Sequence, residues 1–181
     1  MANLLTAIRL LLVIPVALAI VDVSLVANWV LLALVTLAIA SDYYDGKVAR
    51  ALNTASARGM LFDHATDFVF VTTSLLALSI IGLSTVLLPI LIIVAFSQYV
   101  LDSYYLFKQK QLRMSFLGRC NGILYFTPLL IYSISRLDFL VSLQEFLNSS
   151  VIALSYVLIA STLASIIDRA IAPLRHKEIE Q

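Results

Sequence analysis

Residues 41–68 read SDYYDGKVARALNTASARGMLFDHATDF, and this stretch sets how the apolar runs on either side of it must be arranged. Asp42 and Asp45 stand three residues apart at the end of one apolar run, and Asp63 and Asp67 stand four apart at the start of the next. Residues three or four apart share a helical face. Asp42, Asp45 and Ala49 therefore line one face, and Gly59, Asp63 and Asp67 line another. Both helices extend past their apolar parts, so the two faces can meet. Four carboxylates converging there, unpaired, would cost far more in desolvation and repulsion than packing offsets. Two explanations are physically reasonable: nearby basic residues pair with them, or they hold hard cations. A carboxylate-rich oxygen site suits Mg2+, Mn2+ or Ca2+. A pair of such ions neutralises a diphosphate and polarises it for in-line attack.

The rest of the chain says where this cluster lives. Of 181 residues, 61% are apolar and only 13% are Asp, Glu, Lys or Arg, about half the charged share of a soluble domain. This predicts one membrane-embedded domain over 1–181. Apolar stretches at 7–22, 27–45, 65–82, 86–106, 117–135 and 149–167 predict an all-α, polytopic bundle of six transmembrane helices. The first run has one basic residue, Arg9, and is followed by further apolar runs, which reads as a retained helix and not a cleaved leader. Eleven of the 12 Lys and Arg residues fall at Arg9, between the second and third runs, between the fourth and fifth, and after the sixth; the alternate segments hold only Arg136. That pattern predicts both termini and the aspartate cluster on the cytoplasmic side of a bacterial-type inner membrane. A net charge of +1 gives no reason to expect nucleic acid. The single cysteine, Cys120, excludes an internal disulfide.

Each conspicuous residue has a plainer reading beside the functional one. Gly46 and Gly59 are the small residues a membrane helix contact uses; framed by four aspartates, they also let a ligand approach the backbone. Arg58 fits the positive-inside bias. Arg50, one residue past the Asp42–Asp45–Ala49 face, can reach a phosphate or pair with an aspartate. Tyr43 and Tyr44 are interfacial anchors. Clustered membrane aspartates also serve small ion transporters. Their place at the rim of the helices, not mid-helix, favours chemistry on a cytoplasmic substrate.

The pattern Asp42-x2-Asp45-Gly46-x2-Ala49-Arg50-x8-Gly59-x3-Asp63-x3-Asp67 resembles the complete signature of the CDP-alcohol phosphatidyltransferase family, eight residues over 26 positions. The resemblance implies an enzyme of phospholipid biosynthesis that takes a CDP-linked donor, transfers a phosphatidyl or related group to an alcohol, and releases CMP. It implies two Mg2+ or Mn2+ ions held by Asp42, Asp45, Asp63 and Asp67, with Asp67 as general base. It implies nucleotide and phosphate contacts from Gly46, Ala49, Arg50 and Gly59, alongside Asp45. It also implies a homodimer among membrane lipids.

Two finer likenesses diverge. Asn3-x2-Thr6-x2-Arg9 resembles the start of bacterial phosphatidylglycerophosphate and cardiolipin synthases, which use CDP-diacylglycerol, and places Thr6 among the donor-binding residues. Asp45-Gly46-Lys47, Asn53-Thr54-x-Ser56 and Phe62-Asp63-His64-x2-Asp67 resemble choline- and ethanolaminephosphotransferases, which use a CDP-amino alcohol and diacylglycerol. His64 has two readings: it relays a proton or orients Asp67, or it is an interfacial histidine bonded to a neighbour. Members with a phosphorylated acceptor commonly follow the last aspartate with Lys or Arg, whereas this chain has Phe68. Arg113 and Arg119 are the residues placed to compensate.

Overall fold

The computed structural model describes residues 2–51, 57–102 and 116–179, and all their regular structure is helical. Among the described residues seven α-helices follow in order: α1 (Ala2–Val21), α2 (Asn28–Ala51), α3 (Ala57–Ile80), α4 (Leu87–Leu101), α5 (Phe116–Leu124), α6 (Thr127–Ser135) and α7 (Gln144–Ile179). A 3-10 turn at Asp138–Leu143 leads into α7.

Helical periodicity sets the packing. On α2, Leu31, Val35 and Ala38 recur at steps of four and three and are fully buried. Val13, Val16 and Ile20 form a buried stripe on α1, and Phe70, Val71, Leu75 and Leu78 another on α3. These stripes join one core, in which α1 packs against both α2 and α3. On the other side, α7 packs against α4, α5 and α6. Tyr125 ties the short helices to α7 through a 2.8 Å hydrogen bond with Thr162.

The connections follow local chemistry. After α1, the Asp22 carboxylate accepts hydrogen bonds from the Ser24 backbone N–H and hydroxyl, which hold its pKa below the ordinary carboxylate value. At the end of α3, Gly82 takes φ +78°. Its N–H donates to the Ser79 carbonyl, and the Leu83 N–H donates to Leu78. This paired pattern closes a helix on a left-handed residue, a conformation glycine adopts without a Cβ penalty.

The all-α architecture agrees with the sequence, but the six-transmembrane-helix bundle does not. Among the described residues, two helical segments are long and apolar enough to cross a membrane, Leu61–Ile80 and Asp138–Ile171. Thr6–Val21, Asn28–Tyr44 and Leu87–Leu101 are apolar but shorter. The expected span 117–135 is broken at Tyr125–Phe126 into two nine-residue helices. At 1.5 Å per residue each rises only about 14 Å, roughly half the hydrocarbon thickness. Counting apolar residues merged two helices that a turn separates. Even so, Leu11, Ile14, Trp29 and Phe139 expose more than two-thirds of their surface. Apolar exposure on that scale, with the two long apolar segments, supports membrane association.

Candidate active and metal site

Because α1 lies against both α2 and α3, residues near its start face the acidic ends of the other two. Arg9 sits there with no solvent exposure. Its Nη1 donates to Asp63 Oδ1 at 3.2 Å and also to Asp67 Oδ1. Its Nη2 lies 3.4 Å from Asp42 Oδ1, at ion-pair distance but without hydrogen-bond geometry. Its Nε donates to the Ser41 hydroxyl at 3.4 Å, and that hydroxyl donates to the Ala38 carbonyl. One guanidinium thus meets three carboxylates from two helices.

The expected convergence of α2 and α3 is therefore present for Asp42, Asp63 and Asp67. Of the two explanations for clustered carboxylates, pairing with a basic residue is realised by Arg9; the side chains of Arg50 and Arg58 lie outside the described residues. Sequence reading took Arg9 as a topology marker and one term of the Asn3-x2-Thr6-x2-Arg9 likeness. A lone arginine inside an apolar helix was the available signal, because such a charge requires partners. Thr6, one turn earlier, is also buried.

Asp42, His64 and Asp67 line a cavity of about 310 Å3 shared by α2, α3, α4, α5 and α7, a size that suits a small ligand. Phe68 stacks on Phe96 at 4.3 Å and 10°, making an aromatic wall where a basic residue would otherwise follow Asp67. His64 meets the Tyr99 ring edge-on at 6.4 Å. On the opposite wall, Gly118, Arg119 and Gly122 reach the cavity from α5, and a Cβ built at Gly122 would meet nothing within 4 Å. Arg169 of α7, read from sequence only as a topology charge, also lines it. It lies 3.8 Å from Asp102 and over the Tyr99 ring at 5.0 Å.

Asp63, His64 and Asp67 each offer a ligand atom, all within 4.8 Å of one another. Two carboxylates and an imidazole at that spacing fit a divalent cation after small adjustments. The charge balance fits as well, since one guanidinium leaves the three described carboxylates with excess negative charge. Gly59 is half-buried on α3. The side chains of Asp45, Gly46, Ala49 and Arg50, and the whole of Arg113, lie outside the described part of the structure.

The sequence profile of one family, described as CDP-alcohol phosphatidyltransferase, matches residues 1–167. The chain belongs to the CDP-alcohol phosphatidyltransferase family. The match takes in Arg9, the aspartate helices, Arg119 and most of α7, so the whole cavity except Arg169 falls within the region that defines the family. No curated protein matches the chain. Family membership supports a transferase of lipid biosynthesis, and the Asp63–His64–Asp67 group supports metal binding at its site.

Proposed function

We propose that this CDP-alcohol phosphatidyltransferase transfers a phosphatidyl group from CDP-diacylglycerol to an alcohol and releases CMP. The observation that carries the reading is the meeting of Asp42, Asp63 and Asp67 beside one cavity that also holds His64 and Arg119. Asp42, Asp45, Asp63 and Asp67 are the residues that would hold Mg2+ or Mn2+. Two such ions supply charge neutralisation of the diphosphate.

The chain's own residues do the rest. Arg9 engages Oδ1 of Asp67, and we assign Oδ2 as the base that takes the acceptor's hydroxyl proton. The acceptor oxygen forms a bond to the donor's proximal phosphorus, and the bond from that phosphorus to the CMP oxygen breaks. The proton leaves Asp67 to water, and CMP carries the released negative charge. Thr6, Gly46, Ala49, Arg50 and Gly59 are assigned to the nucleotide and its phosphates, and Arg113 and Arg119 to the role of the basic residue that Phe68 replaces. His64 orients Asp67 or relays its proton. The reading extends to a single domain over 1–181, a cytoplasm-facing site in a bacterial-type inner membrane, and a homodimer formed through membrane helices.

A second reading is transfer of a phospho-amino alcohol from its CDP derivative to a diacylglycerol-like lipid. His64 in the cavity and the Phe68–Phe96 stack favour it, because they give the acceptor side an apolar, aromatic wall. Purified protein supplied in parallel with CDP-diacylglycerol and CDP-amino alcohols, with products read by mass spectrometry, decides between them. A phosphatidyl-alcohol product supports the first. A zwitterionic lipid made only with the amino-alcohol donor replaces it with the second, and metal- or proton-coupled flux without CMP would indicate a transporter and reject both.

A further inference from the structure

We infer that Arg9 is the site's built-in cation: it fixes the gap between the α2 and α3 carboxylates, orients Asp67, and weakens divalent-metal binding by sharing their charge. The inference rests on the metal-dependent reading of the site given above. Its basis is the position of Arg9 on a third helix, wholly buried, with ion-pair contacts to Asp42, Asp63 and Asp67.

The residue type matters. A guanidinium is always charged and presents five donors in a rigid plane. Here that plane addresses α2 through Nε to Ser41 and Nη2 towards Asp42, and α3 through Nη1 to Asp63 and Asp67. A lysine ammonium is a compact point charge on a flexible stem and cannot fix three directions together. Arg9 thus spaces two helices that would otherwise repel at their acidic ends. It also holds one Asp67 oxygen, which determines where the other points.

The charges add a second consequence. Three carboxylates and one guanidinium carry a net charge of two negative units. Attraction for a cation therefore remains. Yet Arg9 binds carboxylate oxygens beside which a cation must sit, and its charge repels that cation at short range. Removing its charge should strengthen metal binding even as it spoils the alignment of Asp67. A side chain that merely filled space would do neither.

The test uses the full chain in lipid nanodiscs and reads Mn2+ binding by electron paramagnetic resonance, beside kcat from CMP release. Arg9→Met is expected to bind Mn2+ at least about tenfold more tightly and to lose kcat about a hundredfold. Arg9→Lys keeps the charge but not the fork. It is expected to hold Mn2+ within about threefold of the parent while kcat falls about tenfold. Circular dichroism on the same samples establishes folding. A folded Arg9→Met that binds Mn2+ equally or more weakly overturns the inference, as does parental kcat in Arg9→Lys. If Arg9→Met does not fold, the Arg9→Lys result decides alone. A parent protein that binds no Mn2+ overturns the inference too. A parent that binds Mn2+ tightly, more so in Arg9→Met, yet releases no CMP from any donor leaves the charge-sharing role of Arg9 standing and refutes the proposed reaction instead.

Discussion

Two buried arginines contact α1, one two turns into the helix and one at its C-terminal end, and they meet opposite kinds of partner. Arg136, after α6, donates Nη1 to the Ala19 carbonyl at 2.8 Å, Nη2 to the Val23 carbonyl at 3.0 Å and Nε to the Asn28 side chain at 3.1 Å. Asn28 in turn donates to Asp138 at 2.8 Å. The Ala19 carbonyl belongs to the last turn of α1, where helix carbonyls lack partners, and the Val23 carbonyl to the turn that follows; a cation suits the negative end of the helix dipole. That end is a clasp joining α1, α2 and the turn before α7. At the other end, Arg9 meets carboxylates that outnumber it, beside an open cavity. The same residue type closes one end and leaves the other charged, and excess charge facing a cavity marks a binding site more surely than burial alone.

The largest expected effect breaks the charged end. Asp67→Asn should lower kcat about a thousandfold while donor binding, measured separately, stays appreciable. Asparagine keeps the size and one acceptor oxygen but cannot take the proton, so the interaction lost belongs to the transition state. Asp42→Asn and Asp63→Asn should damage both turnover and donor binding, since each removes a carboxylate from a different helix of the shared site. Near-parental turnover in Asp67→Asn would make His64 the next candidate base.

The clasp should fail differently. Arg136→Met leaves carbonyls at the end of α1 without their charged donor and should cost about 3 kcal/mol of stability, read as reduced resistance to chemical unfolding. Its Mn2+ affinity should match the parent. A change in metal binding would mean that the two ends are coupled through α1.

Smaller effects sharpen the contrast. Gly122→Leu projects a side chain into open space beside the cavity. It should raise the acceptor KM about tenfold, roughly 1.4 kcal/mol, with little change in stability. Gly82→Ala, at φ +78° and outside the cavity lining, should cost about 1 kcal/mol of stability and leave KM and kcat alone.

The parts legible in the sequence were those that depend on short spacing. Asp42 on one helix and Asp63 and Asp67 on the next could be placed on facing surfaces because three- and four-residue steps define a helical face. Arg9 was not, because its partners lie 32 to 58 residues away, and a basic residue near the chain start also satisfies the charge bias of membrane topology. The contribution of Arg169 was hidden likewise, since the ring and carboxylate that hold it belong to the end of α4. The six-span expectation failed where apolar composition ran through a backbone break. Tyr125 sits at the α5–α6 turn, and its hydroxyl bonds to Thr162, 37 residues further on. Hydropathy carries no trace of such a contact.

The central claim, that the carboxylate end of α1, α2 and α3 is a metal-dependent transfer site, is tested most directly by CMP release. Purified protein would be given CDP-diacylglycerol and CDP-amino alcohols with a panel of hydroxyl acceptors, first in Mg2+ or Mn2+ and then in excess chelator. The account predicts CMP in stoichiometric step with a new lipid, loss of both on chelation, and recovery when metal is restored. CMP released at an undiminished rate in metal-free buffer would contradict it.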